Sequence, residues 1–295
     1  MVQSASFSAD SDPKTANIDA AKLGLEPKQG SVLFSDIYGY RRLTQNLDSS
    51  EAASLLNEYF QSLLDAIYKY KQNLGEQIEL ACIRNALIAV FGSPKPLEDH
   101  AWTAVQTARE MCDRLTEYNK RRSSAGQPAI KIGIGINSDL ILSGQLGSER
   151  PMDFAAIGDG VNLAYYLEGV SKQYDCEIVL SENTYNLCSD KIWARKLDLI
   201  RIRNNYPPVE IYEFIGGRDE AISEQKQKVL EHYNKGREHY LNRDFAIALG
   251  QFVTVLGIDS NDRPSTLHLK RCQQCLKEPP SDDWDGSVPI WKLEV

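Results

Sequence analysis

Apolar and polar positions along the first two thirds of the chain switch repeatedly between the two-residue period of a strand and the three-to-four-residue period of a helix. Glycine and asparagine punctuate the strand-like runs, as they do at turns. In chain order, the predicted elements are a strand at 31–40, a helix at 49–72, a strand pair at 79–92, a helix at 96–122, a strand pair at 129–147, a helix at 159–174, a strand and short helix at 176–188, and a strand pair at 194–216. This order predicts an α+β fold, with a mixed sheet covered by helices on one face.

Local signals place several turns and helix ends within this pattern. Arg84-Asn85 stands at the bend of the first strand pair, and residues 137–139 would form the turn of the second. Ser49 or Ser50 is expected to cap the first long helix, because a short hydroxyl side chain there can accept from the free backbone N–H groups.

The composition changes after residue 217. Residues 223–259 have a helical pattern, with two helices joined at 242–244, and resemble a single tetratricopeptide-like hairpin. One repeat cannot bury its own apolar face, so we expect it to dock on the sheet domain or on a partner. The predicted organisation is a flexible arm at 1–27, a sheet domain at 28–217, a helical extension at 218–276 and a tail at 277–295.

The predicted tail carries two indole side chains, Trp284 and Trp291. Indoles in an extended segment are seldom left in water, so we expect the tail to pack onto a groove of this chain. Binding of another protein through the two tryptophans is the alternative.

Charge and composition exclude several classes of function. The 295 residues carry a formal net charge of −8, which gives no general attraction to nucleic acid or to anionic lipid. The sequence has neither a secretory leader nor an apolar run of about 18 residues, so we expect a cytoplasmic protein without membrane insertion. Cys272 and Cys275 form a CxxC pair with no second pair nearby, and we interpret them as positions on the inner side of a helix.

Three stretches carry a resemblance to a known family. They are VLFSDIYGY at 32–40, NALIAVFG at 85–92 and GIGINSDLILSGQLGSERPMDFAAIGDGVNLAYYLE at 133–168. Their sequence and order resemble the catalytic domain of class III nucleotide cyclases over about residues 28–216. The resemblance implies a ferredoxin-type mixed sheet and a dimer, either with a second copy or with another cyclase-like chain. The helical extension is similar to those of bacterial cyclases.

The resemblance also assigns metal positions. In the family, two aspartates hold two divalent ions that clamp the attacking and leaving oxygens of phosphoryl transfer. Asp36 matches the first aspartate, with the backbone carbonyl of Ile37 beside it, and Asn85 stands at the position of the second. An amide brings no charge and the neighbouring Arg84 adds a cation, so the resemblance implies weak metal affinity.

Four further family positions follow from the same alignment of motifs. The base-reading lysine falls at Ala81 and its partner at Ala155, and neither alanine side chain can hydrogen-bond a purine. The transition-state asparagine is present as Asn162, but the arginine one turn later is Tyr166. Of the six positions, Asp36 and Asn162 keep the family residue.

Three functions are therefore weighed. The first is a catalytically degenerate cyclase homologue that works as a dimeric sensor or scaffold by binding nucleotide, another ligand or protein, with Asp36, Ile37 and Asn162 as the nucleotide-binding residues. The second is an active cyclase that makes cAMP or cGMP from ATP or GTP. The third is a protein-interaction adaptor that acts through residues 218–295. No cofactor is expected unless residual cyclase activity exists, in which case Asp36 would hold Mg²⁺ or Mn²⁺.

Overall fold

The structure, a computed structural model, describes residues 25–83, 85–145, 154–202 and 207–290. The strands in these ranges are β1 Leu25–Ile37, β2 Ile78–Ile83, β3 Ala86–Phe91, β4 Ile132–Gln145, β5 Phe154–Ile157, β6 Ile178–Ser181, β7 Ile192–Arg201, β8 Val209–Gly217 and β9 Val288–Pro289. The helices there are α1 Tyr40–Thr44, α2 Ser49–Leu74, α3 His100–Ser124, α4 Asp159–Tyr174, α5 Glu182–Cys188, α6 Glu224–Leu241, α7 Phe245–Ile258 and α8 Arg263–Lys277.

One mixed sheet organises the strands. Their order is β2-β3-β1-β4-β6-β8-β7-β9, and β5 pairs with β4 beside this path. β1 is antiparallel to both β3 and β4, whereas β4 and β6 are parallel. The predicted α+β fold with a mixed sheet is confirmed.

Helices cover both faces of the sheet. The helices α2 and α3 pack on one face, in a core that contains Leu33, Ile134 and Ile136. On the opposite face, Ala164 of α4 lies in a second cluster with Val32. The prediction that helices cover a single face is therefore wrong.

Glycines in β4 let α4 lie close to the sheet. A side chain at Gly135 would overlap the backbone of Ala164 and Glu168, and one at Gly133 would overlap the hydroxyl of Ser171. The alternation of glycine with isoleucine in β4 thus puts bulk on the α2/α3 face and leaves space on the α4 face.

β4 is a single continuous strand. The predicted strand pair at 129–147, with its turn at 137–139, is wrong. β1 has 13 residues and pairs with β4 along its whole length, so the backbone of the expected turn is held extended in the ladder. β1 also begins at Leu25, so the end of the predicted flexible arm at 1–27 is part of a strand.

The cap of α2 also differs from the prediction. Asp48 is the N-cap, and its side chain accepts from the backbone N–H groups of Ser50 and Glu51, both at 2.8 Å. Glu51 accepts in return from the backbone N–H of Asp48 at 2.9 Å. A carboxylate one residue earlier therefore takes the role expected of Ser49 or Ser50.

The C-terminal region contains three helices. α6 and α7 form the predicted hairpin, and α8 packs beside them with Cys272 buried in their shared core. Trp284 contacts the rings of Tyr240 and Phe245, at centroid distances of 5.2 and 5.8 Å. The indole of Trp284 thus packs on its own chain, as expected for the tail, whereas Trp291 lies outside the described residues.

Buried charges fix these helices to the sheet. Asp198 of β7 is fully buried and accepts from Arg237 of α6 at 2.8 Å, and also from Arg271 of α8 and from Tyr174 of α4. Burial alone would raise the pKa of the Asp198 carboxyl, but the charges of Arg271 and Arg237 outweigh it and hold that pKa well below its usual range. The extension is docked through ion pairs to a carboxylate that is fully shielded from water.

A second buried ion cluster lies beside the first. Arg195 of β7 donates to Glu213 at 2.6 Å and to Asp262, the N-cap of α8, at 2.7 Å. Tyr233 of α6 donates to the backbone carbonyl of Leu197 at 2.9 Å. β7 therefore anchors α6 and α8. None of the helices in the described part of the chain has both the length and the apolarity of a membrane span.

Candidate functional site

The site begins where β1 meets the β2–β3 turn. Asp36 faces Ala86 in the β1–β3 register, which brings it beside Asn85 at the turn. The Asn85 amide donates to Asp36 Oδ1, and the backbone N–H of Ile37 donates to the same oxygen at 2.7 Å. The predicted pairing of positions 36 and 85 is therefore present, but as a carboxylate with an amide. Arg84 lies outside the described residues.

The second oxygen of Asp36 faces a cation. Lys172 of α4 places its Nζ 3.3 Å from Asp36 Oδ2 and 3.5 Å from the backbone carbonyl oxygen of Ile37. The same Nζ lies 2.5 Å from Oε1 of Glu168, one helical turn earlier. An ammonium group therefore sits among three oxygens at the end of β1.

Glu168 is buried beside this cation, with 4% of its surface exposed. Burial raises the pKa of its carboxyl to about 7, against the opposing effect of Lys172. Analysis of the sequence missed both residues. Their i, i+4 spacing indicates an ion pair within α4, but nothing local in the sequence indicates the contact with Asp36, 136 positions away.

The positions that the family resemblance assigns to base reading lie on two strands. Ala81 of β2 faces Ile88 of β3, which in turn faces Phe34 of β1, so the three residues form one row across the sheet. Ala155 lies on β5 opposite Gly144, and its side chain is outside the described residues. The row from position 81 to position 34 is apolar, so it offers no side-chain donor to a purine edge.

The positions that the family resemblance assigns to the transition state lie on α4. Asn162 and Tyr166 are one turn apart and so share a side of the helix, with Asn162 exposed and Tyr166 half-buried. The ring of Tyr166 lies 5.7 Å from that of Tyr165, which meets Phe34 edge-on at 5.2 Å. The helix thus brings aromatic rings, rather than a guanidinium, to the face that carries Asp36.

This donor set does not fit two divalent ions. Such ions prefer several oxygen ligands with negative charge among them. Asp36 supplies one carboxylate, Asn85 turns its N–H toward that carboxylate, and Lys172 brings a positive charge to its other oxygen. No group of three acidic, histidine or cysteine side chains suited to a metal occurs among the described residues.

Comparison with known proteins identifies relatives of this chain. The family profile described as the Adenylate and Guanylate cyclase catalytic domain matches residues 26–212. The terminal-differentiation-specific adenylate cyclase of Dictyostelium discoideum is 28% identical over 256 residues, 85% of this chain and 12% of that protein. The adenylate cyclase of Anabaena cylindrica is 30% identical over 190 residues, 62% of this chain and 36% of that protein. This chain therefore spans only part of the length of these relatives.

A solved structure gives the same relationship. The adenylyl cyclase CyaB from P. aeruginosa superimposes with a TM-score of 0.59 at 28% identity, covering 68% of this chain and 100% of that one.

Proposed function

Because this chain belongs to the adenylate and guanylate cyclase catalytic domain family, we propose that it is a catalytically degenerate member that acts by binding, as a dimeric sensor or scaffold. The main support for the proposal is the set of contacts made by the Asp36 carboxylate. Both of its carboxylate oxygens are engaged by groups of this chain, one by the Asn85 amide and the other by the Lys172 ammonium.

This chain lacks one of the two carboxylates that hold metal ions in the family reaction. Deprotonating a ribose hydroxyl and stabilising the leaving pyrophosphate requires ions held by more than one carboxylate. With an amide at position 85, Asp36 is the one carboxylate left at the two metal positions of the family, and it is already paired with Lys172.

This chain also lacks the arginine that stabilises the transition state in the family. Tyr166 brings a neutral phenol to the position of the family arginine, so it cannot offset charge that builds up on the phosphates. In phosphoryl transfer generally, an arginine in that role contributes on the order of 10³–10⁵ in rate. The loss of this cation adds to the loss of the metal ligand.

Apolar residues at the base-reading row favour association over nucleotide selection. Phe34 and Ile88 are only half-buried in the single chain, and Tyr165, which packs on Phe34, is 54% exposed. Covering such rings with a second copy, or with another cyclase-like chain, removes apolar surface from water. We propose that this face is the dimer face.

The C-terminal helices provide a second candidate binding surface. α7 contains no charged residue, and Ile247 and Val253, on two different sides of the helix, are each more than half exposed. A surface helix normally turns charged or polar residues to water, and a helix that is apolar on every side is usually covered. This observation favours a role for residues 218–295 in binding another protein. Replacing both side chains by serine should abolish that binding and leave the dimer intact.

Incubation with substrate tests the main proposal. Purified protein is incubated with ATP or GTP in Mg²⁺ and in Mn²⁺, and cyclic nucleotide is measured by mass spectrometry beside a competent cyclase. We expect no product above that of Asp36→Ala, from a sample that light scattering shows to be dimeric. Product that depends on Asp36 would establish an active cyclase instead, and a monomer at all concentrations would overturn the dimer.

A further inference from the structure

We propose that the Lys172 ammonium is the resident cation of this site, and that it closes Asp36 to divalent metal ions. The inference rests on the proposed loss of catalysis and gives it a cause beyond the missing carboxylate at position 85. It assigns to Lys172 the role of a positioning residue that determines which cation the site holds.

The geometry around Lys172 is that of a cation site. Its Nζ faces oxygens from Asp36, Ile37 and Glu168 at 3.3, 3.5 and 2.5 Å. A side-chain carboxylate and the backbone carbonyl that follows it are the kind of oxygens that bind Mg²⁺ or Mn²⁺. Here the same oxygens surround an ammonium carried by the protein.

A metal ion and this ammonium exclude each other. A divalent ion bound to Asp36 Oδ2 at about 2.1 Å would lie within about 5.4 Å of Nζ, because Nζ itself is 3.3 Å from that oxygen. Two positive charges at that separation repel each other strongly in a partly buried site. Lys172 would have to leave before the ion could bind.

The burial of Lys172 and Glu168 makes movement of Lys172 out of the site unfavourable. The side chains of Lys172 and Glu168 are 19% and 6% exposed, so moving Lys172 into water would leave a buried carboxylate without its counter-ion. Moving the helix away from the sheet is also unfavourable, since it would expose the buried side chains Ala164, Leu167 and Val170 of α4. The ammonium is therefore held in place from both sides.

Mn²⁺ binding tests the inference without any measurement of activity. We would titrate the full chain with Mn²⁺ and follow free ion by electron paramagnetic resonance. The variants are wild type, Asn85→Asp, Lys172→Met and the double variant N85D/K172M. We expect no specific ion in wild type, weak binding by N85D, and one ion per chain in the double variant with at least about tenfold tighter binding than N85D. Adding Asp36→Asn to the double variant should remove that ion.

A matched lysine provides the control. Lys235 forms the same i, i+4 pair on a helix, with Glu231 at 2.7 Å, but on the exposed side of α6. Lys235→Met with N85D should bind no more Mn²⁺ than N85D alone. If N85D/K172M does not fold, the triple variant N85D/E168Q/K172M, which removes one charge of each sign, takes its place with the same expectation.

The outcomes separate this inference from the loss of catalysis. Wild-type protein that binds an Asp36-dependent Mn²⁺ but forms no cyclic nucleotide would overturn the role of Lys172 alone. Equal Mn²⁺ affinity of N85D and the double variant would do the same. Cyclic nucleotide made by wild type would instead overturn the proposed function.

Discussion

Arg271 of the last helix donates to the phenol oxygen of Tyr174 at 3.0 Å, which joins the C-terminal helices directly to the end of α4. Tyr174 in turn donates to Asp198, so one hydrogen-bonded chain links α8, α4 and β7. Two residues before Tyr174, the same helix carries Lys172. The extension is therefore part of the support that positions the candidate site.

Removing the buried charge at Asp198 should destabilise the whole protein. Asp198→Asn keeps the shape of the side chain but leaves the guanidinium groups of Arg237 and Arg271 without their carboxylate. Breaking a buried pair in this way costs about 3–5 kcal/mol. We expect a loss of that order in the free energy of unfolding, measured by urea denaturation. Glu231→Gln, in an exposed pair of α6, should leave it unchanged.

Truncation after residue 217 should prevent folding of the sheet domain. Without α6 and α8, Arg195 keeps one of its two carboxylate partners and Asp198 loses both arginines, while the backbone carbonyl of Leu197 loses the hydrogen bond from Tyr233. We expect the shortened chain to aggregate or to lack a cooperative thermal transition by circular dichroism. A truncated protein that unfolds cooperatively near the temperature of the full chain would contradict this.

Glu168 should make stability depend on pH. The pKa of its carboxyl is raised to about 7 in the folded protein, against its ordinary value of 4.5 in the unfolded chain. Between these values the folded state keeps the proton that the unfolded state loses, so stability falls as pH rises through this window. The full effect, about 3 kcal/mol, is present above pH 7 and absent below pH 4.

Glu168→Gln removes this dependence. We expect the free energy of unfolding of the variant, minus that of wild type, to be about 3 kcal/mol larger at pH 8 than at pH 4. Urea denaturation at several pH values measures it. Parallel pH curves for the two proteins would show that the Glu168 carboxyl does not titrate in this range.

Gly133 and Gly135 of β4 should tolerate no side chain. Gly135→Ala would force the new methyl into the backbone of α4, and overpacking of this kind costs about 1–3 kcal/mol. Gly169→Ala lies in α4 itself with open space around it, and should stabilise the protein by up to about 1 kcal/mol. Thermal unfolding of the two variants should therefore shift in opposite directions.

The sequence predicted those elements whose signals are local. The hairpin at 79–92, the helix at 159–174 and the short helix near 182 all formed as expected, because turn residues and periodicity lie within each segment. The turn expected at 137–139 did not form, since pairing with β1 outweighs the local preference of asparagine and aspartate for turns.

Contacts between distant segments account for the rest of the site. The family motifs located Asp36, Asn85, Asn162 and Tyr166, but not the cation at Asp36. Lys172 reaches Asp36 only because glycines let α4 lie on the sheet, and that approach is a property of the assembled fold. The same holds for Asp198, whose partners come from three helices.

The cluster around Asp198 also constrains how this chain can diverge. Changing Asp198, Arg237 or Arg271 alone leaves an uncompensated charge in the protein interior. During sequence divergence, these residues must therefore change together or be retained together. A recombination event that joined these C-terminal helices to another sheet would also leave buried charges unpaired, unless β7 were transferred together with the helices. We therefore expect natural variants to inherit the last strand pair and the three helices as one block.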